Sequence, residues 1–529
     1  MLILHNARIP RLGSINKTYE AIAIQNGIIA AIGNDEEVLS FSDRKSKIIN
    51  MHGKTICPGF TDAHIHLQHL GKSLSMVDCE TDEIQDCYNR LHEKTKSSKP
   101  GNWVLGHGWN QNQWSGGFDN IHLLDQITDE HPIYITAKSL HAAWANKNAL
   151  EIAGINQASQ DPIGGFLGRN SDGSLNGLLY ESAMGLMEDF IPALSKQELV
   201  DVLNLTQQEL WKVGITSVHD FDGSDCFSAL QNLDMEDKLR IRVVKNIPVS
   251  SFDAAIQCGL RSGFGSDYLR IGSIKLFADG ALGPQTAAMI QPYETDQKNN
   301  GFLLLSRGEI IHYGKEATKN GLSLAIHAIG DKANEEVIDA FAEIRLFENE
   351  NRLSNQNHRI EHVQILAHDD LTRLAENQII ASMQPIHLIS DMDTADRFWG
   401  NRSRFAYAFN SLLQAGTRLV FGSDSPVESF NPFFGIYAAL TRKKFDQTPI
   451  NGWYPEEKIQ LSDIIKAYTI NPAVISKWDN KIGSLEIGKN ADLIILSENL
   501  FELSPFELKE TLPIATMVAG NWVWQGNEL

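Results

Sequence analysis

The chain has 529 residues, a formal net charge of −20, 42% hydrophobic residues, 40 Gly and 17 Pro. That acidity argues against nucleic acid and anionic membranes as partners, because little is on offer to neutralise phosphates. Composition and length suit a folded globular protein of two to four domains, unless one large barrel takes most of the chain.

The first ten residues, MLILHNARIP, have neither a basic leader nor a long apolar core and do not read as a signal peptide. Residues 1 to 57 read as short strands and tight turns: LILHNARI, AIAIQNGIIAAIG and KIINMHGKTICPG, with Asn26-Gly27 as a hairpin signal. ICPGFTDAHIH follows as the first strand of a larger body. Residues 68–212 are too long for a barrel loop and carry their own helices. They are read as an insertion after that strand, a lid over the barrel mouth. Then come GITSVHDF, IRVVKNIPV, LRIGSIKLFA, GLSLAIHAIG, HRIEHVQIL, IIASMQPIHL and TRLVFGSDSPV, most followed by a helical stretch such as DKANEEVIDAFAEIRLF. Eight parallel strands with intervening helices predict a TIM barrel over residues 58–480, in the α/β class. Residues 481–529 return to strand texture in IGSLEIGKNADLIILS and ATMVAGNWVWQGNEL. Segments 1–57 and 481–529 are therefore expected to form one small β-sandwich domain from both termini.

No run of about 18 apolar residues is present to span a bilayer. Cys57, Cys79, Cys87, Cys226 and Cys258 are scattered without C-x-x-C spacing. They fit small buried residues in a reducing cytoplasm.

GFTDAHIHL, residues 59–67, sets His64 and His66 two apart. A strand has a side-chain period of two, so both imidazoles would face one way and could share an ion. With 17 histidines in the chain, roughly half an H-x-H pair arises by chance, so the pair is weak alone. Partners stand near the ends of other strands: Lys275 in the fourth, His327 ending the fifth, His362 in the sixth and Asp424 ending the eighth. Each has a plain alternative: a snorkelling lysine, a hydrogen-bonded core histidine, a helix cap before Pro426. Six metal-competent or convertible side chains at barrel strand ends, where barrel chemistry sits, point jointly to a binuclear metal centre.

Longer blocks carry a resemblance: GFTDAHIHL, GHGWNQNQW, SLHAAWANKNAL, GGFLGRNSDGSLNGLLYESA, IKLFADGALG, AIHAIGDKAN, RIEHVQ, FGSDSPVESFNPFFGIYAALTR and IGSLEIGKNADLIIL. In order and nearly end to end, the chain resembles the amidohydrolase superfamily, most closely family 3 members of the N-substituted formamide deformylase (YtcJ-like) type. The resemblance implies that His64, His66 and Asp424 hold one divalent ion and that His327 and His362 hold the second. It also implies that Lys275 is carbamylated by CO2 and bridges both. Metals and an apolar wall would favour the neutral amine that reacts with CO2. Zinc is the first choice for these ligands, with Mn, Fe and Co open. A water bridging two such ions would be the nucleophile, and Asp424 would take its proton and return it to the leaving amine. The expected enzyme is a metal-dependent amidohydrolase acting on carbon–nitrogen bonds other than peptide bonds. Its partner would be a small-molecule substrate, with a homodimer left open.

In the insertion, Trp109, Trp114, His141 and Trp144 are suited to enclose an organic substrate. Packing of the insertion itself is the competing reading. Asp279 could orient a ligand or serve a turn, and Gln384, at the seventh strand, could hydrogen-bond substrate. The chain departs from the family pattern at Asn110, Asn410 and Asn431, none of them a ligand, which leaves the substrate less defined.

Rival readings remain. Esterase, lactonase or carbamate hydrolysis would use the same nucleophile. A mononuclear deaminase would be expected to show H-x-x-E after the fifth strand, where HAIGD has Gly330 in the glutamate position. A non-catalytic relative would be expected to have lost ligands, and all six are present.

Overall fold

The structure, a computed structural model, describes residues 1–11, 18–109, 114, 123–137 and 142–526. The chain divides into two compact units, Met1–His69 with Leu203–Leu529, and Leu70–Val202.

The first unit is built on eight parallel strands: Phe60–Ile65, Ile215–Asp220, Arg242–Pro248, Leu269–Phe277, Leu324–Ala328, Arg359–His362, Ile380–Met383 and Leu419–Phe421. Each pairs with the next in chain order, so all eight expected barrel stretches are found. The ring is nearly closed by a bridge between Ile65 and Ser425. Strands such as Phe60–Ile65 and Ile380–Met383 are buried at every residue, as parallel strands covered on both faces must be. Helix Asp331–Glu350 turns Val337, Ile338, Phe341 and Ile344 inward at three- and four-residue spacing. Helix Arg307–Lys319 opens with a capping box between Ser306 and Glu309.

The expected first strand is in fact two. Thr55–Pro58 pairs antiparallel with Leu493–Leu496 in a four-stranded sheet completed by Ala515–Val518 and Asn521–Gln525, and the barrel strand starts at Phe60. A second four-stranded sheet holds Leu2–His5, Ala21–Gln25, Ile28–Gly33 and Lys47–Asn50. Leu4, Ile22, Ile24, Ile56, Leu493, Ile495 and Met517, drawn from both sheets, share one core. The hairpin at Asn26-Gly27 is present, with φ positive at both residues as its tight turn requires.

The second unit holds a six-stranded sheet, in the order Gly165–Arg169, Leu175–Glu181, Ala142–Ala145, Ile133–Ala137, Val104–Trp109 and Val77–Asp78. The sequence reading expected helices here and missed the sheet. Four- and five-residue apolar runs such as AAWA and IYITA do not tell a strand from a buried helix segment. The compact unit ends at Val202, short of the expected 212, and helix Lys196–Lys212 spans that limit. Among the described residues no helix is long and apolar enough to cross a membrane. The five cysteines are free, and Cys258 is exposed rather than buried because it caps the short surface helix Phe252–Gln257.

Candidate metal centre

The site begins where the last barrel strand meets the first. Buried Asp62 accepts hydrogen bonds from the His64 and Ser423 backbone N–H groups, both at 3.0 Å, and from the Ser423 hydroxyl at 2.5 Å. Burial pushes its carboxyl up to about 7, against the pull of those donors. A Cβ at Gly422 would stand 2.4 Å from the His64 backbone nitrogen, so only glycine lets the two strands approach this closely. Asp424 lies three residues beyond strand Leu419–Phe421 with left-handed φ of 59°, and its N–H donates to the His64 carbonyl at 2.7 Å. The helix-cap alternative for Asp424 falls away, because the next helix, Pro432–Thr441, is capped by Asn431.

Each histidine of the H-x-H pair has one ring nitrogen tied to a carboxylate and the other turned to Asp424. His64 Nδ1 lies 2.7 Å from Glu361 Oε2, and its Nε2 3.3 Å from Asp424 Oδ1. His66 Nδ1 lies 3.1 Å from Asp222 Oδ1, and its Nε2 3.3 Å from the same Asp424 oxygen. Asp222 also bonds His69 Nδ1 at 2.5 Å, while Asp220 accepts the Leu67 N–H at 2.9 Å and pairs with buried Lys245 at 2.7 Å. Burial holds His64 at about 4. Burial also opposes the charge on His66, but Asp222 and Asp424 outweigh it and raise the imidazolium to about 10. Asp424 is pushed up by burial and pulled well below the usual carboxylate range by His64, His66 and His362.

Lys275 is buried in the fourth strand, its Nζ 4.6 Å from the Phe221 ring centroid and 4.8 Å from that of Phe277. Among the described residues its ammonium makes no hydrogen bond or ion pair, and burial lowers it to about 8. The rings of His327 and His362 stand 4.5 Å apart, and those of His64 and His362 5.1 Å. All six expected ligands line one cavity of about 350 Å3, within the range of small-molecule sites.

The donor set fits a divalent cation. Donor atoms of His64, His362 and Asp424 lie within 4.8 Å of one another. Carboxylates on the far nitrogens of His64 and His66 fix tautomer and orientation, as second partners of metal-bound histidines do. This grouping differs from the expected one: His362 joins His64 and Asp424, while His327 gives its Nε2 to the Gly280 carbonyl at 2.9 Å.

The expected substrate contacts that fall on described residues have the following surroundings. Trp109, Trp114 and Trp144 are buried in the core of the 70–202 unit with Leu91, Ile133 and Ile135, and the Trp109 indole N–H donates to the Ile135 carbonyl. In this structure they pack that unit, because a large apolar ring gains most from full burial. His141 and Asn110 fall outside the described residues. Asp279 accepts backbone N–H groups of Ala288, Ile329 and Gly330 at 2.8–3.0 Å, a turn role, and its Oδ1 also lies 3.7 Å from His327 Nε2. Gln384 is buried just past the seventh strand, and neither it nor Asp279 is among the described residues lining the cavity. Asn410 bonds the Glu456 carbonyl at the surface.

Sequence reasoning missed Glu361 and Asp222. Glu361 precedes His362, and strand alternation would send neighbours to opposite sides; the left-handed φ of 74° at His362 breaks that alternation. The spacing of Asp220 and Asp222 at the end of the second strand was the available signal for the other.

An amidohydrolase family model matches residues 47–524. The protein LONG AFTER FAR-RED 3 of Arabidopsis thaliana is 30% identical over 96% of this chain and 88% of its own length. The N-substituted formamide deformylase of Arthrobacter pascens is 26% identical over 98% of this chain and 97% of its own length. The crystal structure of an uncharacterized metal-dependent hydrolase from Pyrococcus furiosus superposes with a TM-score of 0.77 at 27% identity, covering 95% of this chain and all of that one. With the eight barrel strands in place and the match running almost end to end, the chain belongs to the amidohydrolase family.

Proposed function

We propose that this hydrolase cleaves the C–N bond of an N-formyl or other N-acyl amine at a centre of two divalent ions, zinc first among them. The observation that carries the reading is the convergence of His64, His66, Lys275, His327, His362 and Asp424 on one cavity. Divalent ions at such a site polarise a carbonyl and lower the pKa of bound water. Glu361 and Asp222 orient His64 and His66 as ligands. Asp424, ionised by its imidazole neighbours, accepts a proton and returns it to the leaving amine. Lys275 makes no ion pair among the described residues, and burial, outweighing Glu361 and Asp424, favours its neutral amine. Attack of that amine on CO2, with loss of a proton, would give a carbamate able to lie between two cations. The similarity to an N-substituted formamide deformylase supports an amide substrate.

The deaminase alternative is disfavoured at Gly330. A Cβ there would stand 2.0 Å from the Ala288 carbonyl oxygen, so no glutamate fits the position.

The test is a screen of N-formyl, N-acetyl and N-acyl-amino-acid amides against Zn- or Mn-reconstituted enzyme, read as amine release. Release that is lost with a chelator and in Asp424→Asn is expected. Hydrolysis of esters or lactones without any amide would overturn the C–N assignment.

A further inference from the structure

One carboxylate on the cavity wall has no part in holding an ion. Asp391, on helix His387–Trp399, lines the cavity together with Gln364. Its Oδ2 accepts the Gln364 amide N–H and the Tyr407 hydroxyl, each at 2.6 Å. Among the described residues no donor reaches Oδ1. Two donors on one oxygen fix the carboxylate and leave the other oxygen for a third partner. Burial raises the Asp391 carboxyl, with His387, Tyr407 and Gln364 opposing. The group stands one helical turn from His387, whose ring centroid is 6.3 Å from that of His362.

The rest of the wall sets the chemistry. Phe277, Leu282 and Val427 are apolar, and among the described residues lining the cavity there is no arginine. The lysine there, Lys275, becomes an anion in the reading above, on which this inference rests. A substrate carboxylate placed near Asp391 would meet like charge and no guanidinium, whereas an ammonium or other strong N–H donor would meet a fixed acceptor. We infer that Asp391 is a specificity-determining residue, selecting amides whose amine part carries a cationic nitrogen beyond an apolar spacer and rejecting those that carry a carboxylate.

Three formamides of matched shape test this: the N-formyl derivatives of 4-(aminomethyl)benzylamine, 4-methylbenzylamine and 4-(aminomethyl)benzoic acid, which are cationic, neutral and anionic. On wild-type metal-loaded enzyme, kcat/KM for the cationic substrate should exceed that for the anionic one by at least ~10-fold, and Asp391→Asn should collapse that ratio to within about twofold. Equal rates on wild type, a preference for the anion, or a variant that slows all three by one factor would overturn the proposal. The wild-type arm needs no variant, so a misfolded Asp391→Asn does not blunt it. Calorimetry with the same three formamides on chelator-treated protein, where none is turned over, separates the two readings. Asp391-dependent binding of the cationic formamide without any amide hydrolysis by loaded enzyme keeps the subsite and removes the amide assignment. Amide hydrolysis with no charge preference in rate or binding does the reverse.

Discussion

Glu361 and His64 form a buried carboxylate–imidazole pair, 2.7 Å from Oε2 to Nδ1, drawn from positions 297 residues apart. Arg359 faces the other carboxylate oxygen as an ion pair at 2.5 Å without hydrogen-bond geometry, and burial's upward push on Glu361 is outweighed by Arg359 and His64, which hold it at about 2. The imidazole is thereby kept with Nε2 toward Asp424. Glu361→Gln keeps the shape and removes the charge, so metal affinity should fall by about 10- to 100-fold, read by competitive titration with a chelator. Unchanged affinity would show that the pair serves packing alone.

Lys275 couples the site to pH. In metal-stripped, CO2-free protein its folded pKa is about 8 against an ordinary 10.5. The folded state then binds fewer protons than the unfolded state between those values, so stability rises with pH through that window. The cost of the buried ammonium is present in full below about 8. Lys275→Met should therefore stabilise stripped protein at pH 7, by on the order of 3 kcal/mol, with the advantage fading toward pH 10.5. Denaturant melts at the two pH values check this, and an advantage that does not shrink with pH would refute it.

In the loaded enzyme the same position should behave in the opposite sense. Lys275→Ala is expected to lose metal and turnover, and acetate or propionate at high concentration should restore part of both by supplying the missing carboxylate. A lysine acting through its ammonium would not respond to added acids.

Asp424→Asn should lower kcat by about 100- to 10,000-fold, the range for losing a positioned proton acceptor. Normal turnover in that variant, with metal retained, would remove Asp424 from the proposed proton transfer.

Trp109 and Trp144 lie almost fully buried in the core of the 70–202 unit. Trp109→Ala or Trp144→Ala should cost about 3–5 kcal/mol of that unit's stability while leaving metal per folded chain unchanged. Limited proteolysis alongside elemental analysis reads both. Loss of metal without faster cleavage would contradict the packing assignment.

The barrel was legible because its strands are short, mainly apolar stretches such as GLSLAIHAIG, set off by turns and counted to eight. The candidate ligands stood out because histidine and aspartate at several strand ends are chemically conspicuous. Glu361 and Asp222 did not, since each meets a histidine distant in sequence and no periodicity encodes such a meeting. The tryptophans stood open between two readings for a related reason: an indole suits a substrate and a core equally, and only its neighbours decide. The split at Gly59 was hidden because Thr55–Pro58 and Phe60–Ile65 are alike in composition and differ only in the partners they pair with.

The seam between Phe60–Ile65 and the segment after Leu419–Phe421 joins Asp62 to Ser423, 361 positions apart. A ribosome delivers His64 and His66 long before Asp424, so a nascent chain lacks one of the three expected ligands of that ion while most of the barrel emerges. On the proposed ligand set, a chain truncated before Ser423 keeps His327 and His362 but lacks Asp424, so it should bind fewer ions than the full chain, whatever its remaining fold.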